Sequence, residues 1–331
     1  MSREEAMLQT GAAPEPEGQK AAVEETAGKP EGQKAAAEET AGKSGSQTWR
    51  QAYLYAVREL ASCKIAEPET DAKVLLKYAG GLSDTDYLLC AQDRMPQEAA
   101  QRFSQALERR KQHVPVQHIT GSAWFFGYEF LVNEHVLIPR MDTEILADRA
   151  ISFIGGKGAA KELRALDLCT GSGILAIVLK KEFPDLEVWA GDISAQALAV
   201  ARENARRQGV CVNWYEADLF DGARGRFDLI VSNPPYISSE EIGQLDEEVR
   251  LHDPLQALDG GADGLLFYRR IAKEAGAYLK AGGGLFLEIG YDQAQQTQEL
   301  LRGAGYEQVH SVKDLAGRDR VTCGIWSGKD V

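Results

Sequence analysis

At 331 residues, with 44% hydrophobic and 26% charged positions, the chain has a globular composition and the length for one large or two ordinary domains. No apolar run approaches the roughly 18 residues that span a bilayer, and the acidic amino terminus has neither an apolar signal core nor an Arg-rich transit character, so a cytoplasmic location is expected. A net charge of −13 argues against a partner held through a nucleic-acid backbone, and 5 scattered cysteines without a C-x-x-C pair argue against a metal framework.

Residues 1–47 are rich in Ala, Glu, Gly, Lys and Gln. The stretch 17–29 recurs as 31–43 with Val23 replaced by Ala37. Almost nothing there can bury a face, which predicts a disordered, repeat-containing tail. From Trp49 the pattern turns helical. Apolar spacing predicts segments over 49–60, 71–78 (ended by Gly80-Gly81), 84–89 and 96–111, the last with Pro96 at its start. Together they predict a small all-helical domain over 48–120, suited to recognition rather than chemistry. Arg102, Arg109, Arg110 and Lys111 gather near the end of its last helix, either as a local basic face or as an ordinary solvated one. Residues 121–137 carry Trp124, Phe125, Phe126, Tyr128 and Phe130 in a β-prone run and read as a hairpin linker.

From Ile138 strands and helices alternate, the mark of a wound parallel sheet. Strands are predicted at 163–168, 187–191, 211–215, 227–232 and 284–289, with two more at 306–313 and 320–326. Helices are predicted at 142–154, 174–182, 195–208, 264–279 and 293–304. The fold class is therefore α/β: a Rossmann-like sheet of seven mostly parallel strands over 138–328, behind a small helical domain.

Two stretches carry the chemistry. The first predicted strand runs into Asp167-Leu-Cys-Thr-Gly-Ser-Gly-Ile-Leu-Ala176, where Gly171 and Gly173 let the backbone turn tightly before a helix. Asp192 follows about twenty residues on, at the end of the second strand, where a carboxylate can accept from ribose hydroxyls. This pattern indicates an adenosine-containing ligand without separating a nicotinamide dinucleotide from S-adenosylmethionine. Ala176 in place of a third glycine, and Glu216-Ala-Asp-Leu219, favour the methyl donor. Asp218 there would meet the adenine amine and Leu219 would pack on the ring. The plain alternatives are capping or turn aspartates and a core leucine.

The second stretch is Asn233-Pro-Pro-Tyr236, directly after the apolar strand 227–232. Two prolines remove two backbone donors and force an extended exit from the sheet. The Asn233 and Pro234 carbonyls then lack ladder partners, and with the Asn233 side-chain oxygen they make an acceptor cluster for both hydrogens of a planar NH2 group. Tyr236 would offer it a flat face. An amide or the exocyclic amine of a base would fit; the plain alternative is a strand-ending turn with a packed tyrosine.

With these motifs in place, residues 49–327 resemble the PrmC/HemK family of S-adenosylmethionine-dependent methyltransferases, which modify the glutamine of the Gly-Gly-Gln tripeptide in class-I peptide chain release factors. The resemblance extends to Pro115-Val-Gln-His-Ile-Thr-Gly121, Ile138-Pro-Arg-Met-Asp-Thr-Glu144, Ala257-Leu-Asp-Gly-Gly-Ala-Asp-Gly264, Leu287-Glu-Ile-Gly290 and the run 314–324. It implies that Asn233, Pro234, Pro235 and Tyr236 hold the glutamine amide, with Asn233, Pro234 and Tyr236 carrying the catalysis. It implies that Cys169, Thr170, Gly171, Ser172 and Gly173 cradle S-adenosyl-L-methionine, Asp192 its ribose, and that Asn233 borders both ligands. Phe125 matches a position that contacts the target side chain, and the helical domain would dock the release factor. Met141 stands where the family has proline, which should loosen that turn, and the repeated tail has no counterpart. The competing enzyme is an N6-adenine nucleic-acid methyltransferase, which would need a basic groove and a pocket for an extruded base. A non-catalytic module that kept the fold, and a nicotinamide-dependent dehydrogenase, are the remaining alternatives.

Overall fold

The computed structural model describes residues 47–328, so the tail expected over 1–47 lies, but for Gln47, outside the described residues. The chain opens with helices α1 (Trp49–Ser62), α2 (Pro68–Gly80), α3 (Asp84–Cys90), α4 (Gln97–Lys111) and α5 (Val116–Thr120). Thr48 and Ser83 start α1 and α3 as reciprocal capping boxes with Gln51 and Asp86, and Pro68 occupies the first turn of α2. Gly81, at φ 62, ends α2 in the left-handed conformation that costs glycine least. Trp49, Ala52, Ala56 and Leu60 share one face of α1 at spacings of three and four, and pack with Leu75, Leu76, Phe103 and Leu107 into a core belonging to these helices.

That packing settles the basic cluster of α4. Arg110 is only 4% exposed; its Nε donates to Asp71 Oδ2 at 2.6 Å, Nη1 to the Val114 carbonyl at 3.2 Å, and Nη2 to Glu248. Lys111 pairs with Glu59 and Glu108. Two of the four charges expected on a common face are therefore bound inside the protein's own ion pairs.

Strands β1 (Ser122–Phe125) and β2 (Tyr128–Leu131) form the expected hairpin, followed by helix α6 (Thr143–Gly155). Then come β3 (Arg164–Leu168), α7 (Ile174–Glu182), β4 (Glu187–Asp192), α8 (Ala195–Gln208), β5 (Asn213–Glu216) and β6 (Phe227–Ser232). After β6 lie two short helices absent from the sequence expectation, α9 (Glu247–His252) and α10 (Leu255–Leu258), too brief to show a period. The chain closes with α11 (Leu266–Tyr278), β7 (Leu279–Glu288), α12 (Ala294–Gly303), β8 (Tyr306–Lys313) and β9 (Asp319–Trp326). β7 begins earlier than the sequence suggests because α11 runs into it without a loop. Its pairing with β6 shifts register between Phe227 and Leu229.

The 7 strands lie in the order β5-β4-β3-β6-β7-β9-β8. Those from β5 to β7 run parallel, and β9 and β8 close the edge antiparallel. β6 is buried along its whole length, as a central parallel strand is; its apolar Leu229–Val231 lies between the buried polar Asp228 and Ser232. One core cluster packs α6 and α7 on one face, and another packs α11 on the other. From β3 the chain moves out to β4 and β5, then returns to place β6 on the opposite side of β3. The carboxyl ends of β3 and β6 thus flank the crevice where open α/β sheets bind ligands. Among the described residues no helix is long and apolar enough to cross a membrane.

Candidate active site

The loop leaving β3 is built around two carboxylates. Asp167 Oδ2 accepts from Thr170 Oγ1 at 2.5 Å and from the Ala176 N–H at 3.2 Å, tying the loop and the first turn of α7 to the strand. Its Oδ1 is buried without a partner. Burial pushes this carboxyl up to about 7 against the pull of those two donors. Cys169 and Gly171 both take positive φ, 56 and 54. A Cβ on Gly171 would meet nothing within 4 Å, so that glycine is there for its backbone conformation alone. The turn it makes aims the Gly171 N–H at Asp192 Oδ2, 2.8 Å away at the end of β4, while Oδ1 accepts from the Ser194 N–H at 2.9 Å. Each Asp192 oxygen keeps acceptor capacity for a further hydrogen bond. Burial raises its pKa, with the same backbone donors opposing.

Beside this loop β6 ends at Ser232, which pairs with Leu168 and donates its hydroxyl to the Leu168 carbonyl at 2.8 Å. The Asn233 Nδ2 donates to Thr143 Oγ1 at 3.3 Å, which turns Oδ1 the other way. Among the described residues the carbonyls of Asn233 and Pro234 accept no hydrogen bond. The next turn is locked from behind. Gln293 Nε2 donates to the Tyr236 carbonyl at 2.9 Å, and a Cβ on Gly260 would lie 2.8 Å from Tyr236 Cα. The Ala257–Gly264 motif therefore has a packing reason for its glycine.

These elements enclose a cavity of about 240 Å³. Of the expected site residues, Cys169, Thr170, Gly171, Ser172, Asp192, Asp218, Leu219, Asn233 and Pro235 line it. Gly173 does not: at φ 83 it caps α7, and a Cβ there would press on Ala201 at 3.0 Å and Trp214 at 3.1 Å. Pro234 is buried behind the wall, and the Tyr236 hydroxyl points to Glu288 Oε1 at 3.5 Å, so its ring is not part of the lining. Phe125 is corrected most clearly. It is 1% exposed, packed between Phe126 and Phe130 in the core, because alternation along β1 turns Phe125 inward and Trp124 outward. Asp218 is not free either: Arg270 of α11 holds it with two bonds of 3.0 Å, leaving each oxygen acceptor capacity for another donor.

Sequence reasoning missed Arg140, Thr143, Phe267 and Arg270, all of which face the cavity. The first two lie inside the Ile138–Glu144 motif, which pointed to them without a role. The α11 pair had no signal beyond helix periodicity. Arg140 reaches across to Asp253 at 2.8 Å and so holds the segment whose Pro254, Gln256 and Ala257 form the opposite wall. Met141 does not open the turn: the Thr143 N–H still bonds the Arg140 carbonyl at 3.1 Å, and the Met141 side chain is 78% exposed.

The cavity's make-up suits an adenosine sulfonium compound. A carboxylate pinned by two backbone donors has acceptor capacity left for a diol, a glycine-bearing loop allows close approach, and the buried Leu219 offers an apolar surface beside Asp218. A model described as the PrmC N-terminal domain matches residues 51–121, and one described as the methyltransferase small domain matches 156–249. A release factor glutamine methyltransferase of Agrobacterium fabrum is 38% identical over 84% of this chain and 97% of its own. Another, of Cereibacter sphaeroides, is 41% identical over 80% of this chain and 94% of its own. A solved protein-(glutamine-N5) methyltransferase of Alicyclobacillus acidocaldarius is 32% identical, covering 60% of this chain and 99% of that one at a TM-score of 0.37.

Proposed function

The chain belongs to the release factor glutamine methyltransferase family, and from that premise we propose how its site works: the exit turn of β6 grips a glutamine side-chain amide beside S-adenosylmethionine held across the ends of β3 and β4. The reaction is methylation of the amide nitrogen of the glutamine in the Gly-Gly-Gln tripeptide of class-I peptide chain release factors, an activity that belongs beside translation in the cytoplasm. The observation that carries this site reading is the unclaimed acceptor set of the β6 exit, Asn233 Oδ1 and carbonyl followed by the Pro234 carbonyl, with Asn233 lining the same cavity as Asp192.

An amide nitrogen is a poor nucleophile because its lone pair is shared with the carbonyl. Two acceptors on its hydrogens return electron density to nitrogen and fix the direction in which the lone pair points. S-adenosylmethionine supplies an electrophilic methyl group on a sulfonium. Asp192 would accept from the ribose hydroxyls, the Cys169–Ser172 backbone would hold the donor, and Asp218, steadied by Arg270, would accept from the adenine amine beside Leu219. No base is required before transfer: as the nitrogen–carbon bond forms the carbon–sulfur bond breaks with its electron pair left on sulfur, and the surplus proton leaves the nitrogen afterwards to solvent, so positioning and preorganised dipoles do the work. The helices α1 to α5 supply the docking surface for the factor.

Mass spectrometry of a Gly-Gly-Gln-bearing release factor after incubation with enzyme and donor tests the reading. One methyl on that glutamine is expected. A DNA substrate that takes up label while the factor does not would overturn it in favour of adenine methylation, against which the −13 charge and the buried Arg110 both count.

A further inference from the structure

Glu288 closes β7 at the level of the β6 exit, one residue beyond Leu287, which pairs with Ser232. It is 2% exposed. A carboxylate so deep in a protein is normally answered by a cation. This one is not: Arg320, the cation that acts on it, is engaged at 3.1 Å by both Asp142 and Asp314. The groups that face Glu288 are instead the hydroxyls of Thr143 and Tyr236 and the amide of Asn233, with Asp142 and Arg320 acting from further off. Tyr268 holds its backbone, donating to the Glu288 carbonyl at 3.0 Å. The side-chain contacts are loose, and Oε2 has no partner of full hydrogen-bond geometry.

We infer that Glu288 is a positioning residue that, through Thr143, dictates which end of the Asn233 amide faces the substrate. The inference rests on Asn233 being the residue that grips the target amide. The oxygen and the NH2 group of an asparagine side chain have almost the same shape, so only discriminating neighbours can prevent a flip. An ionised carboxylate accepts and cannot donate. Facing both Thr143 and Asn233, it can take the single Thr143 hydroxyl hydrogen, which leaves the Thr143 oxygen to accept from Asn233 Nδ2, 3.3 Å away. Both remaining choices follow: Nδ2 points inward and Oδ1 outward, toward the hydrogens of the target. Flipped, Asn233 would present donors to donors and the amide would not bind.

The same logic gives a pH dependence. Burial lifts the Glu288 carboxyl from the ordinary 4.5 to about 7, while Thr143, Asn233 and Arg320 pull the other way and Asp142 adds to the rise. Protonation places a donor hydrogen on the carboxyl and releases Thr143 to donate to Asn233 Oδ1. The flipped amide is then accommodated and turnover falls.

The experiment compares Glu288→Leu, Glu288→Gln, Thr143→Val and Thr143→Ser, with kcat on the release factor and donor affinity by calorimetry. Glu288→Leu and Thr143→Val should each lower kcat roughly 10- to 100-fold with donor affinity retained. Thr143→Ser keeps the hydroxyl and should retain most of the parent kcat, whereas Glu288→Gln, which carries a donor as the protonated carboxyl does, should show the parent's low-pH rate at every pH. The parent rate should drop as pH falls below about 7, and this acid limb should be missing in Glu288→Gln. The Glu288→Leu and Thr143→Val double variant should be no slower than either single one, because the two act as a unit. A Glu288→Leu enzyme with the parent kcat overturns the inference, and so does an acid limb that survives in Glu288→Gln. Should Glu288→Leu not fold, Thr143→Val carries the same test. A parent enzyme that leaves the factor unmodified would sink the functional reading instead, a result distinct from any of these.

Discussion

Two regions of this molecule bury acids, and they treat them differently. In the helical layer Asp71 is met by the full charge of Arg110, itself buried and shared with Glu248. At the carboxyl edge of the sheet Asp167, Asp192 and Glu288 meet neutral donors instead: the Thr170 and Thr143 hydroxyls and the N–H groups of Ala176, Gly171 and Ser194. Burial raises the pKa of all four acids. Arg110, buried beside Asp71, answers it with a full charge and leaves it little to offer. Neutral donors orient an acid and leave acceptor capacity over, which is what a ligand edge requires. The residue types are the same; the partner decides whether an acid holds the fold or waits for a ligand.

The sharpest way to break the contrast is in the helical layer. Arg110→Ala strands Asp71 without its cation and should cost about 3–5 kcal/mol of stability, read from the urea midpoint. Replacing Arg110 and Asp71 together by apolar residues of similar volume should return much of it. If the single variant unfolds at the parent midpoint, the Asp71 pair is not structural. Next, Asn233→Ala should cut turnover by about 100- to 1,000-fold while calorimetry finds donor affinity unchanged, because it removes an acceptor used in the transition state. Parent-rate methylation by that variant would refute the acceptor reading. Asp192→Ala should instead weaken donor binding roughly 10- to 100-fold, the worth of hydrogen bonds to a charged group. Undiminished affinity would remove Asp192 from the donor site.

The smallest effect is on the pH dependence of stability. Unfolded, Glu288 titrates near 4.5; folded, near 7. Between those values the folded protein holds the extra proton, so stability falls as pH rises through the window. Glu288→Gln should flatten that fall, by on the order of 1 kcal/mol once solvent relaxation is allowed for. The same slope in the parent and in Glu288→Gln would show that Glu288 titrates normally.

Much of the site was legible in the sequence because its parts are local. Glycines that need positive φ and a proline pair that ends a strand act on neighbouring atoms, so the loop after β3 and the turn after β6 could be read directly. Asp192 was legible because a strand end is a fixed distance from its loop. Phe125 was misplaced because which side of a two-residue alternation faces the core is settled by what packs there, and the hairpin packs its Phe125 side inward. Gly173 was assigned to the ligand, whereas its neighbours are Ala201 and Trp214, both distant in sequence.

The sequence alone determined the wound parallel sheet, the helical layer before it and the two punctuated loops, since periodicity, capping and turn chemistry are properties of short stretches. Only the tertiary structure decided that Arg270 would hold Asp218, that Arg110 would be buried, and that Thr143 and Glu288 would stand behind Asn233. Each of these joins residues dozens of positions apart, brought together by strand order in the sheet and by helix packing in the layer before it. A charge or hydroxyl shows in a sequence what it can donate or accept, and the fold selects its partner.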